Sequence, residues 1–180
     1  MKSGHDSSYN AVTRPGWRLF TAFLLFFFVG MSHASSYSVK ADYLYQFADY
    51  VSWSKASGNI TICVVGPDPF GKALDNAIAG KKAKGRKLEA RRLGASAGTG
   101  GCEIVFVSAS LSGGDAAAVV GRTGSGVLTV SDKSGFIKQG GMIEFINEKD
   151  RVRFNISNSA AKKAGVKLSA QLLKLAKTVD

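Results

Sequence analysis

Ile60 to Ala77 read ITICVVGPDPFGKALDNA, and the rest of the chain is read outward from them. The first six residues are apolar or β-branched without a break, which suits a strand buried on both faces. Pro67 and Pro69 then forbid a continued ladder. From Gly71 the chain returns to helix formers, with Ala73, Leu74, Ala77 and Ile78 on one stripe. The stretch therefore predicts a strand, a turn and a helix, the opening of a right-handed βαβ crossover.

Gly66 to Lys72 also fits G-x-x-x-x-G-K, the phosphate-binding loop, in the strand-to-helix context that motif requires. Three features oppose it. Ala73 follows the lysine, so no hydroxyl is offered to magnesium. Pro67 and Pro69 remove two of the N–H donors that would cradle phosphate, and Asp68 puts a carboxylate where the anion would sit. A rigid turn is the better reading, and no cofactor is expected.

Before this unit, Met1 to Ala34 has the form of a secretory signal. Lys2, Arg14 and Arg18 precede the apolar run Leu19 to Met31, and Ser32-His33-Ala34 supplies small residues for cleavage. The run is too short to span a bilayer comfortably, which favours a cleaved signal over the alternative of an uncleaved anchor. Cleavage would leave a single domain, Ser35 to Asp180, with 21 basic and 12 acidic residues, so the net charge falls from +11 to +9. Export argues against nucleic acid as the partner of that charge. An acidic protein face, an anionic lipid or an envelope polymer fits better. Both histidines, His5 and His33, leave with the signal, which excludes histidine-based catalysis or metal ligation in the mature chain. Cys63 and Cys102 remain, in a compartment that oxidises thiols, and a disulfide between them is the expected state.

Val39 to Trp53 predicts a helix with Leu44, Phe47, Ala48 and Val51 on its apolar stripe. Beyond the first crossover, Lys81, Lys82, Lys84, Arg86, Lys87, Arg91 and Arg92 form a basic loop and then a strand, KLEARRL. Such a run reads either as a solvated sheet edge or as a docking surface for an acidic partner. CEIVFVS, 102 to 108, is a second buried strand. A helix begun near Ser112 and the strand GVLTVS, 126 to 131, follow. Two strand–helix–strand alternations in a row predict a parallel, doubly wound sheet. MIEFIN and RVRFNI, around Glu148-Lys149-Asp150, then predict a C-terminal antiparallel hairpin. Helices at 158 to 165 and 170 to 177 close the chain. Two S-x-x-K matches, at Ser52 and Ser159, lack the companion motifs of serine–lysine enzymes and read as surface residues.

FADYVSW, CVVGPDPFG, CEIVFVS, VLTVSDKSGF, GGMIEF, RVRFNI and GVKLSAQLLKLA occur in that order from Phe47 to Ala176. In order and spacing they resemble the YfiR-like family (DUF4154). The resemblance implies an α/β, Rossmann-like fold without catalytic activity. It implies a periplasmic repressor of an inner-membrane diguanylate cyclase of the YfiN type, relieved by an outer-membrane lipoprotein of the YfiB type, and it admits a homodimer. Cys63 and Cys102 match a disulfide pair of the family. A second pair, found in some members near the late hairpin, is absent here, and Ser54 stands where a proline often follows the tryptophan. Lys82, Lys84, Arg86, Arg91 and Arg92, with Tyr37 and Phe136 as exposed aromatics, are the expected partner-binding residues. A small-molecule sensor with its ligand at the carboxyl ends of the strands is the alternative function.

Overall fold

The computed structural model describes residues 32–53 and 58–180, with side chains from residue 36 onward. The signal residues 1–31 and Lys55 of the first S-x-x-K match lie outside the described residues.

Helix α1 (Ser32–Tyr50) leads into a two-residue strand β1 (Val51–Ser52). The run at the centre of the sequence forms β2 (Ile60–Val65), with all its residues buried. Then come α2 (Lys72–Ile78), the short β3 (Lys82–Ala83) and the basic strand β4 (Arg86–Leu93). β5 (Ile104–Val107), α3 (Gly113–Arg122) and β6 (Leu128–Ser131) complete the second alternation. The hairpin is β7 (Ile143–Glu148) and β8 (Arg151–Ile156), followed by α4 (Asn158–Lys163), β9 (Lys167–Leu168) and α5 (Ala170–Leu175).

Seven strands form one sheet in the order β3-β4-β2-β5-β6-β7-β8, and β1 pairs with β9 in a separate two-stranded sheet. The five inner strands run parallel, and β3 and β8 are antiparallel edges. The sheet reverses direction of growth at β2 and β5, as in doubly wound folds. One face packs Leu44, Phe47, Leu74, Phe106, Ile143, Phe154 and Leu172 beneath α1, α2 and α5. The other packs Cys63, Val105, Val107, Val119 and Phe136 beneath α3. The expected α/β fold, mostly parallel sheet and C-terminal antiparallel hairpin are therefore observed.

Local chemistry explains the element ends. Ser112 accepts from the Asp115 N–H and caps α3, and Ser157 and Ser169 cap α4 and α5 in the same way. The β7–β8 loop has only two central residues, Lys149 and Asp150, both at positive φ, as a tight hairpin matched to strand twist requires. Glu148, expected in that turn, is instead the last residue of β7. The first helix also ends earlier than its periodicity suggests. Val51 pairs with Leu168, and the Ser169 N–H donates to the Tyr50 carbonyl, which draws the chain out of the helix. The Trp53 indole N–H still reaches back to the Ala48 carbonyl at 2.8 Å.

Candidate functional site

The strand ends carry the charged side chains that the fold takes out of water. At the amino ends, Arg86 opens β4 and Glu103 precedes β5. Their side chains are 7% and 10% exposed and meet at 2.9 Å. Arg86 also donates to the Gly58 and Asn59 carbonyls, and the second oxygen of Glu103 accepts from the Thr61 N–H. Both Glu103 oxygens and the Nε and Nη2 of Arg86 thus have partners, the condition under which a buried ion pair is tolerated. Next to it, Cys63 and Cys102 are disulfide-bonded with their Cα atoms 5.8 Å apart, as expected. The bond joins the middle of β2 to the segment leading into β5.

At the carboxyl ends, Asp132 follows β6 and receives two donors from α1. The Lys40 ammonium lies 2.7 Å from its Oδ2, and the Tyr37 hydroxyl donates to the same oxygen at 2.8 Å. Lys40 also lies over the Tyr37 ring, 4.2 Å from its centroid. Burial, and then the neighbouring Asp132 carboxylate, push the Tyr37 phenol up to about 12, so it remains a hydrogen-bond donor at physiological pH. The other oxygen of Asp132, Oδ1, is buried with no hydrogen-bond partner among the described residues. The Asp132 carboxylate is thus held by side chains of one helix and left partly unsatisfied.

Lys82 and Lys84 are exposed on the β3 edge and its turn. Arg91 is exposed too, with one nitrogen on the Gly100 carbonyl. Arg92 is committed within the molecule: its guanidinium holds both oxygens of Asp75, one of Asp68 and the Gly71 carbonyl. The Asp75 hydrogen bonds, more than any other contact, raise its pKa. That cluster fills the mouth of the Gly66–Lys72 turn, so the phosphate-loop pattern is here a carboxylate–guanidinium staple. Arg86, expected at a partner surface, is instead buried in the ion pair with Glu103. Phe136, expected to be exposed, is 0% exposed. Its ring lies so close to Gly141 that a Cβ there would come within 2.1 Å of it. Tyr37 is half-buried and packs edge-on against Phe70 at 5.5 Å.

The crevice between the β2 and β5 carboxyl ends, where doubly wound folds bind ligands, is filled by this chain. Leu111 packs onto Gly66, and Phe70 stacks edge-on over Phe106 at 4.7 Å. Two open cavities, of about 440 and about 620 Å³, lie at the opposite, amino ends. Among the described residues, no cluster of three His, Cys, Asp or Glu could hold a metal ion, and no helix is long and apolar enough to cross a membrane.

Lys40, Asp132, Glu103 and Glu144 are the buried charges that residue patterns alone did not single out. Two left a signal. Lys40 sits one turn before Leu44 on the apolar stripe of α1, and Glu103 interrupts the apolar run CEIVFV. A charge in either place requires a buried partner.

No curated protein matches the chain. Among solved structures it is similar to the crystal structure of a conserved domain protein from Vibrio cholerae O1 biovar eltor, at 10% identity and a TM-score of 0.49, over 80% of this chain. The chain spans 60% of that protein's length. The model of the YfiR/HmsC-like proteins (DUF4154) matches residues 37–177. The chain belongs to the YfiR/HmsC-like family.

Proposed function

We propose that this protein is a periplasmic, non-catalytic regulator that represses an inner-membrane diguanylate cyclase of the YfiN type by protein–protein contact, with a YfiB-type outer-membrane lipoprotein able to withdraw it. The observation that carries this reading is the family match across nearly the whole described domain. Three features support it. The Cys63–Cys102 disulfide suits an oxidising compartment. The sequence before Ser35 has the charge and hydropathy of a signal peptide, and cleavage there would leave Tyr37 and Lys40 on α1. The charged groups at the strand ends bond to one another rather than facing a substrate.

Repression requires a difference in affinity between the active and inactive cyclase, since equal binding shifts nothing. A tenfold fall in activity needs only about 1.4 kcal/mol of preference, within reach of a modest interface. Deleting the gene raises cyclic di-GMP and surface attachment. The exported form reverses this, and a form lacking residues 1–34 does not. Unchanged cyclic di-GMP in the deletion strain would contradict the reading.

A further inference from the structure

The two edges of the main sheet are finished differently. Along β8, the tail runs as a short parallel strand: the Lys177 N–H donates to the Phe154 carbonyl, the Ile156 N–H to the Thr178 carbonyl, and Ile156 bridges Val179. At the other edge, β4 is eight residues long, but β3 covers only its beginning, through Lys82 opposite Lys87 and Ala83 opposite Arg86.

The register shows which groups are left open. In a parallel ladder, alternate residues direct both N–H and C=O to the same neighbour. The Leu93 carbonyl accepts from Gly66 at 2.9 Å, so Leu93, Arg91 and Glu89 face β2. The β3 ladder ends against Leu88; beyond it, Ala90 and Arg92 therefore present their backbone N–H and C=O groups outward. Among the described residues, no strand pairs with them.

The edge is also charged with one sign. Lys82, Lys84, Lys87 and Arg91 are exposed, and no ion pair among the described residues engages them. The nearby carboxylates are already in use: Glu89 by Asn59 and Thr61, Asp68 and Asp75 by Arg92, and Asp49 by the Lys84 N–H. Two copies meeting edge to edge would set lysine against lysine, the usual protection against self-pairing.

We propose that the outer edge of β4 receives an extended, acidic segment of a partner protein as an added strand. Main-chain bonds to Ala90 and Arg92 supply affinity, and the lysines select acidic sequences and exclude a second copy. The inference rests on the reading of this chain as a protein-binding regulator and is independent of which protein it regulates.

A synthetic peptide alternating glutamate and valine tests it, with a lysine–valine peptide as control, against the whole mature chain. The expected result is saturable binding of the acidic peptide alone, with slowed amide exchange at residues 90 and 92. Ala90→Pro removes an outward N–H and no bond to β2, so the fold is kept while binding falls by roughly tenfold or more. The Lys82→Glu, Lys87→Glu double variant lies on the exposed edge and carries the same test should the proline variant fail to fold; it too weakens binding by about tenfold. No binding, binding that survives these changes, or protection of the two amides by a second copy would overturn the proposal. Peptide capture with unaltered cyclic di-GMP would sustain this edge and sink the cyclase reading. The converse result would do the opposite.

Discussion

The amino and carboxyl ends of the sheet each bury one ion pair, yet only the amino-end pair is closed by hydrogen bonds on both sides. There, Arg86 and Glu103 satisfy each other and three backbone groups, and a disulfide lies alongside. At the carboxyl end, Lys40 and Tyr37 both serve one oxygen of Asp132, and the other oxygen has no partner among the described residues. A saturated network in a covalently tied region resists rearrangement. The body of α1 is fixed by Leu44, Phe47 and Ala48 in the core, but its first turns are tied to the sheet through one carboxylate oxygen. The polar frame is therefore firmest at the amino end, and the start of α1 is seated less firmly.

The largest expected effect comes from breaking the closed end. Arg86→Met leaves the buried Glu103 carboxylate with the Thr61 N–H alone and takes the donor from the Gly58 and Asn59 carbonyls. This should cost about 4 kcal/mol and lower the melting temperature by on the order of 10 °C, measured by thermal unfolding. Removing the disulfide with Cys63→Ala and Cys102→Ala attacks the same end covalently. The bridged residues are 39 apart. The loop-entropy account gives up to about 4 kcal/mol, seen as a lower denaturant midpoint. Non-reducing mass spectrometry of the exported protein should find no alkylatable thiol.

The open end should respond less. Lys40→Met leaves Asp132 with the Tyr37 hydroxyl alone, but the start of α1 can shift and admit water, so about 2 kcal/mol is expected. The local signature is faster amide exchange in the first turns of α1 than in the inner strand β2. Equal losses for Arg86→Met and Lys40→Met, with uniform exchange, would erase the distinction between the ends.

The smallest effect concerns the tail. The Ser159 backbone N–H, then the Ser157 hydroxyl, hold the Asp180 carboxyl below its ordinary value of 3.8. The Lys177 ammonium does the same for Glu148, below 4.5. For carboxyls lowered in the folded state, the contribution is fully present above the ordinary values and is lost as pH falls through the lowered ones. Both groups are exposed, so acidification should release the tail without unfolding the domain. Exchange at the Ile156 amide, whose acceptor is in the tail, should speed up below about pH 4 while that of Val64 does not.

The layers of the fold were legible because apolar continuity and punctuation agree along most of the chain. ITICVV and CEIVFVS could only be inner strands, and Ser112 and Ser169 mark the helix starts observed. What escaped depends on distant partners. Val51 leaves its helix for Leu168, 117 positions on, and no local pattern encodes that pairing. Arg86 differs from its basic neighbours only in meeting Glu103 across β2. Phe136 looked like a loop aromatic, but Glu144 accepts from the Gly135 and Ile137 N–H groups and folds that loop inward, burying the ring. The candidate surface was therefore legible as a basic segment, while its available members, Lys82, Lys84, Lys87 and Arg91, emerge only once burial and pairing are known.

The central claim is repression from the periplasmic side, and spheroplasts of the deletion strain expose that side while keeping the GTP and cyclic di-GMP pools inside. Adding the purified mature protein should lower cyclic di-GMP saturably, with a membrane cyclase retained on the immobilised protein. Cyclic di-GMP unchanged at saturating protein would contradict the account.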